Sequence, residues 1–357
     1  MSFLDFGNNS LAVNLAIFVV LAVVIWLAGT RISFYADALT TRTGMGSAFM
    51  GMVFLAAATS SPEIGTTISA ATAGQAQLAV NNAFGGVSMQ TAILAIVDLL
   101  FIRGALTYFS PKPVLMLQGV FLILLIGMAL TGIAAGDTLT ILGVGMWSVL
   151  LLVVYILSLK MSQGYERQKE WMPENAPDEA QVQESVKSPK SQSAEDRYRH
   201  WSRRRLILFF ALGTVIIFAV GYVLAQTATA IAAQTGLGTS FVGATLLAAS
   251  TSLPELSATS AAVRLGNYSM AIANIFGSNS FMIMLVFLGD VFYRGGSILQ
   301  QVDRSAMFGA ATGILVTAIY LIGMLERRDR TVLRMGIDSA VVLAIYLGSL
   351  VILYQLR

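Results

Sequence analysis

The chain has 357 residues, of which 56% are apolar and only 11% charged, and its mean hydropathy is +0.74; soluble domains carry about 25% charged residues, so an ordinary globular domain in water is excluded. The net charge of +3 offers no basic face for nucleic acid. With no cysteine and a single histidine, His200, thiolate and multi-histidine metal sites are excluded, and any bound metal must be held by oxygen.

Residues 1–10 contain Asp5 but no Lys or Arg, so they lack the basic segment of a secretory signal, and the first apolar run is expected to be retained. Apolar stretches long enough to cross a hydrocarbon core roughly 30 Å thick then recur along the chain. The first five predicted spans lie near Leu11–Thr30, Gly46–Ala73, Gln77–Leu100, Pro113–Ala135 and Leu139–Leu159. The second five lie near Leu206–Ala233, Gly238–Val263, Tyr268–Phe292, Ala306–Leu325 and Ile337–Tyr354. The expected fold is an all-α membrane protein of about ten transmembrane helices. Its expected units are a first half over 1–159, a polar linker over 160–205 and a second half over 206–357.

The linker is rich in Lys, Arg, Glu, Gln, Ser and Pro and cannot bury enough apolar surface to fold alone. It ends in Arg197, Arg199, Arg203, Arg204 and Arg205, beside the sixth span, which by the positive-inside bias places the loop in the cytoplasm and the N-terminus outside. Arg31, Arg42, Arg103, Lys112, Arg264, Arg327, Arg328, Arg330 and Arg334 fall on the same inner side, leaving Arg294, Arg304 and Arg357 outside. The expected location is the plasma membrane.

Two segments, 43–98 and 235–290, align without a gap at an offset of 192 residues, with roughly two-fifths of positions identical. Each half holds an odd number of spans, so the copies must be oppositely oriented: two inverted five-helix repeats. Inside each copy a Thr-Ser-x-Pro-Glu string interrupts the second span of its half, and Pro62 and Pro254 are expected to break the helix there. Backbone freed at membrane depth is tolerated only where protein or a cavity satisfies it. The strings add the side-chain oxygens of Thr59, Ser60 and Glu63 in one copy and of Thr251, Ser252 and Glu255 in the other. Thr59 and Glu63 are four residues apart, as are Thr251 and Glu255, so each pair can share a helix face. The hydroxyls either face an ion or bond back to helix carbonyls. A carboxylate near the bilayer centre costs at least roughly 2.5 to 3.5 kcal/mol on insertion scales, and a symmetric pair calls for a function. Two glutamates match one divalent ion, and a set of hard oxygens suits Ca2+ better than Mg2+, which dehydrates reluctantly.

The strings TSSPE at 59–63 and TSLPE at 251–255, with NIFGSN at 274–279, resemble the alpha repeats of the sodium/calcium exchanger family, within the cation/Ca2+ exchanger superfamily. That resemblance implies ion ligands at the six residues above, backbone carbonyls from Ala56 and Ala248, and ligands on the following helix. The latter are a Ser in a Gly-Ser-Asn string and a polar or acidic residue four positions on. Ser278 keeps the first feature, but Met282 stands at the second; the other copy has Gly86 instead of Ser, followed by Gln90. Gln90 is similar to the glutamine of proton-coupled calcium exchangers in the same superfamily, so Na+ and H+ both stand as counter-ions. Asn82 and Asn274 match across the repeats, with ligation and helix packing equally open. Asp98 and Asp290 also match, and each is expected to pair at the interface with Arg103 or Arg294.

The expected function is thus a secondary antiporter moving Ca2+ against a monovalent cation in a lipid bilayer by alternating access, with no cofactor and no enzymatic activity. A passive cation channel, or an exchanger of another metal ion, is the alternative; oligomeric state is not legible.

Overall fold

The computed structural model describes residues 6–110, 112–137, 139–141, 143–167, 197–235, 243–332 and 335–355. The first half contains α1 (Leu11–Thr43), α2 (Ser47–Thr59), α3 (Ser61–Thr72), α4 (Ala76–Phe101), α5 (Pro113–Ala135) and α6 (Met146–Arg167). The second contains α7 (Arg203–Gln234), α8 (Gly243–Thr251), α9 (Leu253–Arg264), α10 (Tyr268–Phe292), α11 (Arg304–Glu326) and α12 (Ile337–Gln355). Eight of these helices are each long and apolar enough to cross a bilayer. The broken pairs α2–α3 and α8–α9 supply the remaining two crossings of a ten-span membrane protein. Two short hairpins, β1–β2 (Thr140–Ile141 with Val144–Gly145) and β3–β4 (Thr331–Val332 with Met335–Gly336), precede the last helix of each half.

Several boundaries differ from the sequence expectation. α1 overruns Thr30 by thirteen residues, because Ile32, Tyr35, Ala36 and Leu39 continue a buried stripe at helical spacing after the purely apolar run has ended. Gly44 caps this helix at φ 66°, with open space where a side chain would lie. α6 begins at Met146, not near Leu139, because β1–β2 takes up the intervening residues. Most of the expected linker, 160–205, lies outside the described residues, but 160–167 continue α6 and 203–205 open α7.

α10 is buried along almost its whole length and, with α4, forms the middle of the bundle, whereas α1 and α7 pack on each other and expose Val19, Val20, Leu27, Leu208 and Val215 outward. In water such faces would associate; in a bilayer they meet lipid tails. Gly29 of α1 lies against Pro254 and Ser257, and its repeat partner Gly221 of α7 lies against Pro62. A side chain at either glycine would collide with the opposite half's broken helix. At the end of α1, the Arg42 guanidinium donates to the carbonyls of Trp201, Tyr198 (2.6 Å) and Arg199 (3.3 Å), fastening the segment before α7 to α1.

Asp98 and Asp290 do not pair with arginine. The Asp98 carboxylate accepts from Leu106 N (3.2 Å) and from Gly336 N (2.9 Å); that of Asp290 accepts from Ile298 N (2.7 Å) and Gly145 N (2.8 Å). Each therefore holds a loop of its own half and the hairpin of the other half. Both are fully enclosed, at 0% and 1% exposure, and a buried carboxylate is stable there only because backbone N–H groups satisfy it. Among the described residues the one ion pair is Arg328–Glu326, at the surface.

Candidate ion-binding site at the crossing of two broken helices

The second span of each half breaks at a serine. Ser60 (φ −86°, ψ 13°) ends α2 and Ser252 (φ −87°, ψ 1°) ends α8, so the prolines fall at the second residue of α3 and α9, where their missing N–H costs no helical bond. The break therefore comes one residue earlier than the residue preceding proline. Glu63 and Glu255 consequently sit in the first turns of α3 and α9, where the partial positive end of the helix dipole favours a negative charge. A feature absent from the sequence reading is a π-helical turn over Met50–Leu55, closed by Ala56 N donating to Gly51 O. It lies immediately before the carbonyl-bearing turn at Ala56–Thr59, and such turns recur at functional sites. The turn runs close against α10, with Gly51 against the backbone of Met270 and Gly277 against that of Met52.

The two breaks face each other in the middle of the bundle. Ser60 Oγ donates to Glu255 Oε1 at 2.8 Å, joining the halves directly, and Glu63 lies within electrostatic reach of Glu255. Glu63 and Glu255 are both at 0% exposure, yet three of their four carboxylate oxygens, Glu63 Oε1 and Oε2 and Glu255 Oε2, have no hydrogen-bond partner. Buried acceptors of this strength are ordinarily satisfied, so the oxygens mark a place built for a partner outside the chain.

Thr59 Oγ1 lies 3.2 Å from Ala56 O, 3.4 Å from Asn274 Oδ1 and 3.3 Å from Ser278 Oγ. Asn274 Nδ2 in turn donates to Thr259 Oγ1 at 3.1 Å, so this amide bridges α2 and α9. In the other half Thr251 Oγ1 bonds back to Ala248 O at 3.3 Å, and Ser252 is buried beside it. The carbonyls of Ala56 and Ala248 already accept the N–H groups of Ser60 (2.9 Å) and Ser252 (3.0 Å). Of the residues singled out by sequence, the structure therefore brings Thr59, Ser60, Glu63, Glu255, Asn274 and Ser278 to one cluster, with Ala56 at its edge. Thr251, Ser252 and Ala248 hold the equivalent break. Gln90 lies against Met282, its Nε2 3.0 Å from the thioether sulfur, and its Oε1 is buried without a partner. Asn82 stands apart: it is half-buried, and none of the described hydrogen bonds ties it to the cluster.

Of the buried amides that the sequence did not single out, Asn279 lies beside the site. Asn279 Nδ2 donates to Thr91 Oγ1 at 3.1 Å and links α10 to α4 beside the site. Its place directly after Ser278 was the available signal. Among the described residues no three acidic or imidazole groups cluster, so the negative charge at the breaks is that of two glutamates.

Comparison with known proteins places this arrangement. The fold matches that of the sodium-calcium exchanger NCX_Mj, with a TM-score of 0.69 at 16% identity, over 96% of this chain and 99% of that one. CaxA of Alkalimonas amylolytica is 24% identical over 357 residues, covering 97% of this chain and 99% of CaxA. The sodium/calcium exchanger MaX1 of Methanosarcina acetivorans is 38% identical over 88 residues, 24% of each chain. The family model for sodium/calcium exchanger proteins matches residues 13–162 and 205–355, so the chain belongs to the sodium/calcium exchanger family.

Proposed function

We propose that the protein carries Ca2+ across its membrane in exchange for a monovalent cation, Na+ or H+, by alternating access at the crossing of the broken helices. The observation that carries this is the pair of fully buried glutamates with three unpartnered oxygens. Two carboxylates balance one divalent ion, and Thr59, Ser60, Thr251, Ser252, Ser278, Asn274 and the carbonyls of Ala56 and Ala248 offer the oxygens from which a shell of about six to eight, the number Ca2+ accepts, can be drawn. Thr59 and Thr251 donate their hydroxyl protons to the carbonyls of Ala56 and Ala248, which leaves the Oγ1 lone pairs available to a cation. Gln90 Oε1 adds one further acceptor, whereas Asn82 joins only if its helix shifts.

The asymmetry of the cluster supports alternating access over a channel. The amide of one repeat, Asn274, seals its side through Thr59 and Thr259, while its counterpart Asn82 stays half-buried and outside the network. In this reading the basic residues put the N-terminus outside and the segment between α6 and α7 in the cytoplasm of the cell membrane.

Uptake of Ca2+ into proteoliposomes under separately imposed Na+ and H+ gradients tests the proposal. At least one gradient is expected to drive accumulation above the equilibrium level. Accumulation under neither would contradict it.

A further inference from the structure

Gln90 and Met282 occupy equivalent positions in the two repeats, as do Gly86 and Ser278. Around Ser278 the cluster is polar, with the hydroxyl 3.3 Å from Thr59 Oγ1. Around Gly86 it is not. The thioether of Met282, 2% exposed, fills that place: a Cβ added at Gly86 would lie 2.5 Å from Met282 Cε and 3.0 Å from its Sδ. The missing side chain at Gly86 is what lets the methionine in, and Gln90 Nε2 closes over the sulfur at 3.0 Å. A thioether is a weak acceptor with no charge and offers little to a hard cation.

Charge can also be counted on the described residues. Asp98 and Asp290 are consumed by four backbone N–H groups, and Asp137 and Asp329 are engaged outside the cluster, Asp137 with Ser297 Oγ (2.6 Å) and Asp329 with Ala105 N (2.8 Å). Asp338 also has a buried oxygen without a partner, but it lies beside Gly323 and Gly336 at the start of α12, so among the described residues Glu63 and Glu255 alone have free carboxylate oxygens at the breaks. A third monovalent cation would be an uncompensated charge in a site closed to water, and the position beside Gly86 that corresponds to Ser278 in the other repeat is filled by the thioether.

We propose that Met282, seated on Gly86, plugs the second half of the ion site and fixes the exchange as electroneutral, two monovalent cations for each Ca2+. This deepens the exchange proposed above and rests on it. Both states of the cycle then carry the same charge, so membrane potential cannot bias the accumulation of Ca2+.

The test is the steady Ca2+ accumulation ratio of proteoliposomes holding the parent protein, with the driving Na+ or H+ gradient fixed and the potential clamped by K+ and valinomycin at 0 and 100 mV. The proposal expects the same ratio at both. Exchange moving one net charge per cycle would shift it by roughly 50-fold, and a shift of that order would overturn the proposal. Absence of any gradient-driven uptake would instead remove the exchange reading itself. Met282→Asp, which replaces the plug by a third carboxylate, is expected to make the ratio potential-dependent and to raise the Na+-driven flux, while Met282→Leu keeps it potential-independent. A folded, transporting Met282→Asp protein that stays indifferent to potential would show that Met282 does not set the charge count. Should that variant fail to insert, the parent and the leucine variant still decide the question.

Discussion

Replacing Glu63 by glutamine, or Glu255 by glutamine, is expected to lower Ca2+ transport by at least about 100-fold while leaving the protein inserted and folded. Removing one charge from a buried compensating pair costs on the order of 3 to 5 kcal/mol, which is 100-fold or more in affinity. The amide has the carboxylate's shape, and three of the four oxygens bond to nothing in the protein, so the helix crossing should not notice the change. Ser60 Oγ, 2.8 Å from Glu255 Oε1, can still donate to an amide oxygen. Radiotracer uptake, with size-exclusion profiles to confirm folding, reads the outcome. Parent rates in both variants would mean that the glutamates are protonated packing groups.

A loss of stability, not of ion affinity, is expected at Asp98 and Asp290. Alanine at either position leaves two buried backbone N–H groups without an acceptor, each costing roughly 1 to 3 kcal/mol. The apparent melting temperature in detergent should fall by roughly 5 to 10 °C. Asparagine should recover only part, because its Nδ2 would present a donor to one of those N–H groups. The reciprocity makes a second point checkable: the two alanine variants should be lowered by similar amounts, since each cuts one tie within a half and one between halves. Unchanged melting in both would show that the hairpins are held by other contacts.

The ten spans were legible because lipid imposes a length and a composition that few other structures share. The site was legible for a different reason: duplication set the same Pro-Glu string twice into runs that were otherwise apolar. What composition could not show was geometry that depends on neighbours. The overrun of α1 past Thr30 was hidden by Arg31, Ser33 and Asp37, although the 192-residue offset carried onto α7 would have revealed it, since Ser10 and Ser202 cap the two helices in the same way. The roles of Asp98 and Asp290 were misread because nearby arginines are visible in sequence, whereas the folding back of a loop N–H eight residues on and of a hairpin N–H more than a hundred residues away is not. The π turn before Ala56 leaves no pattern of its own, and the residue it packs against, Met270, lies across the bundle. Gly86 and Met282 were visible as departures from the repeat, but only their packing shows that one accommodates the other.

Obligatory exchange is the core of this account, and efflux from preloaded vesicles tests it most directly. Proteoliposomes loaded with radioactive Ca2+ are diluted into medium that lacks Ca2+ and Na+ and is buffered at high pH, and are compared with a parallel dilution into medium containing Ca2+. The account predicts efflux at the level of protein-free vesicles in the first medium and rapid one-for-one tracer exchange in the second. Equally rapid efflux into both media, with no ion required on the far side, would identify a passive pathway and contradict it.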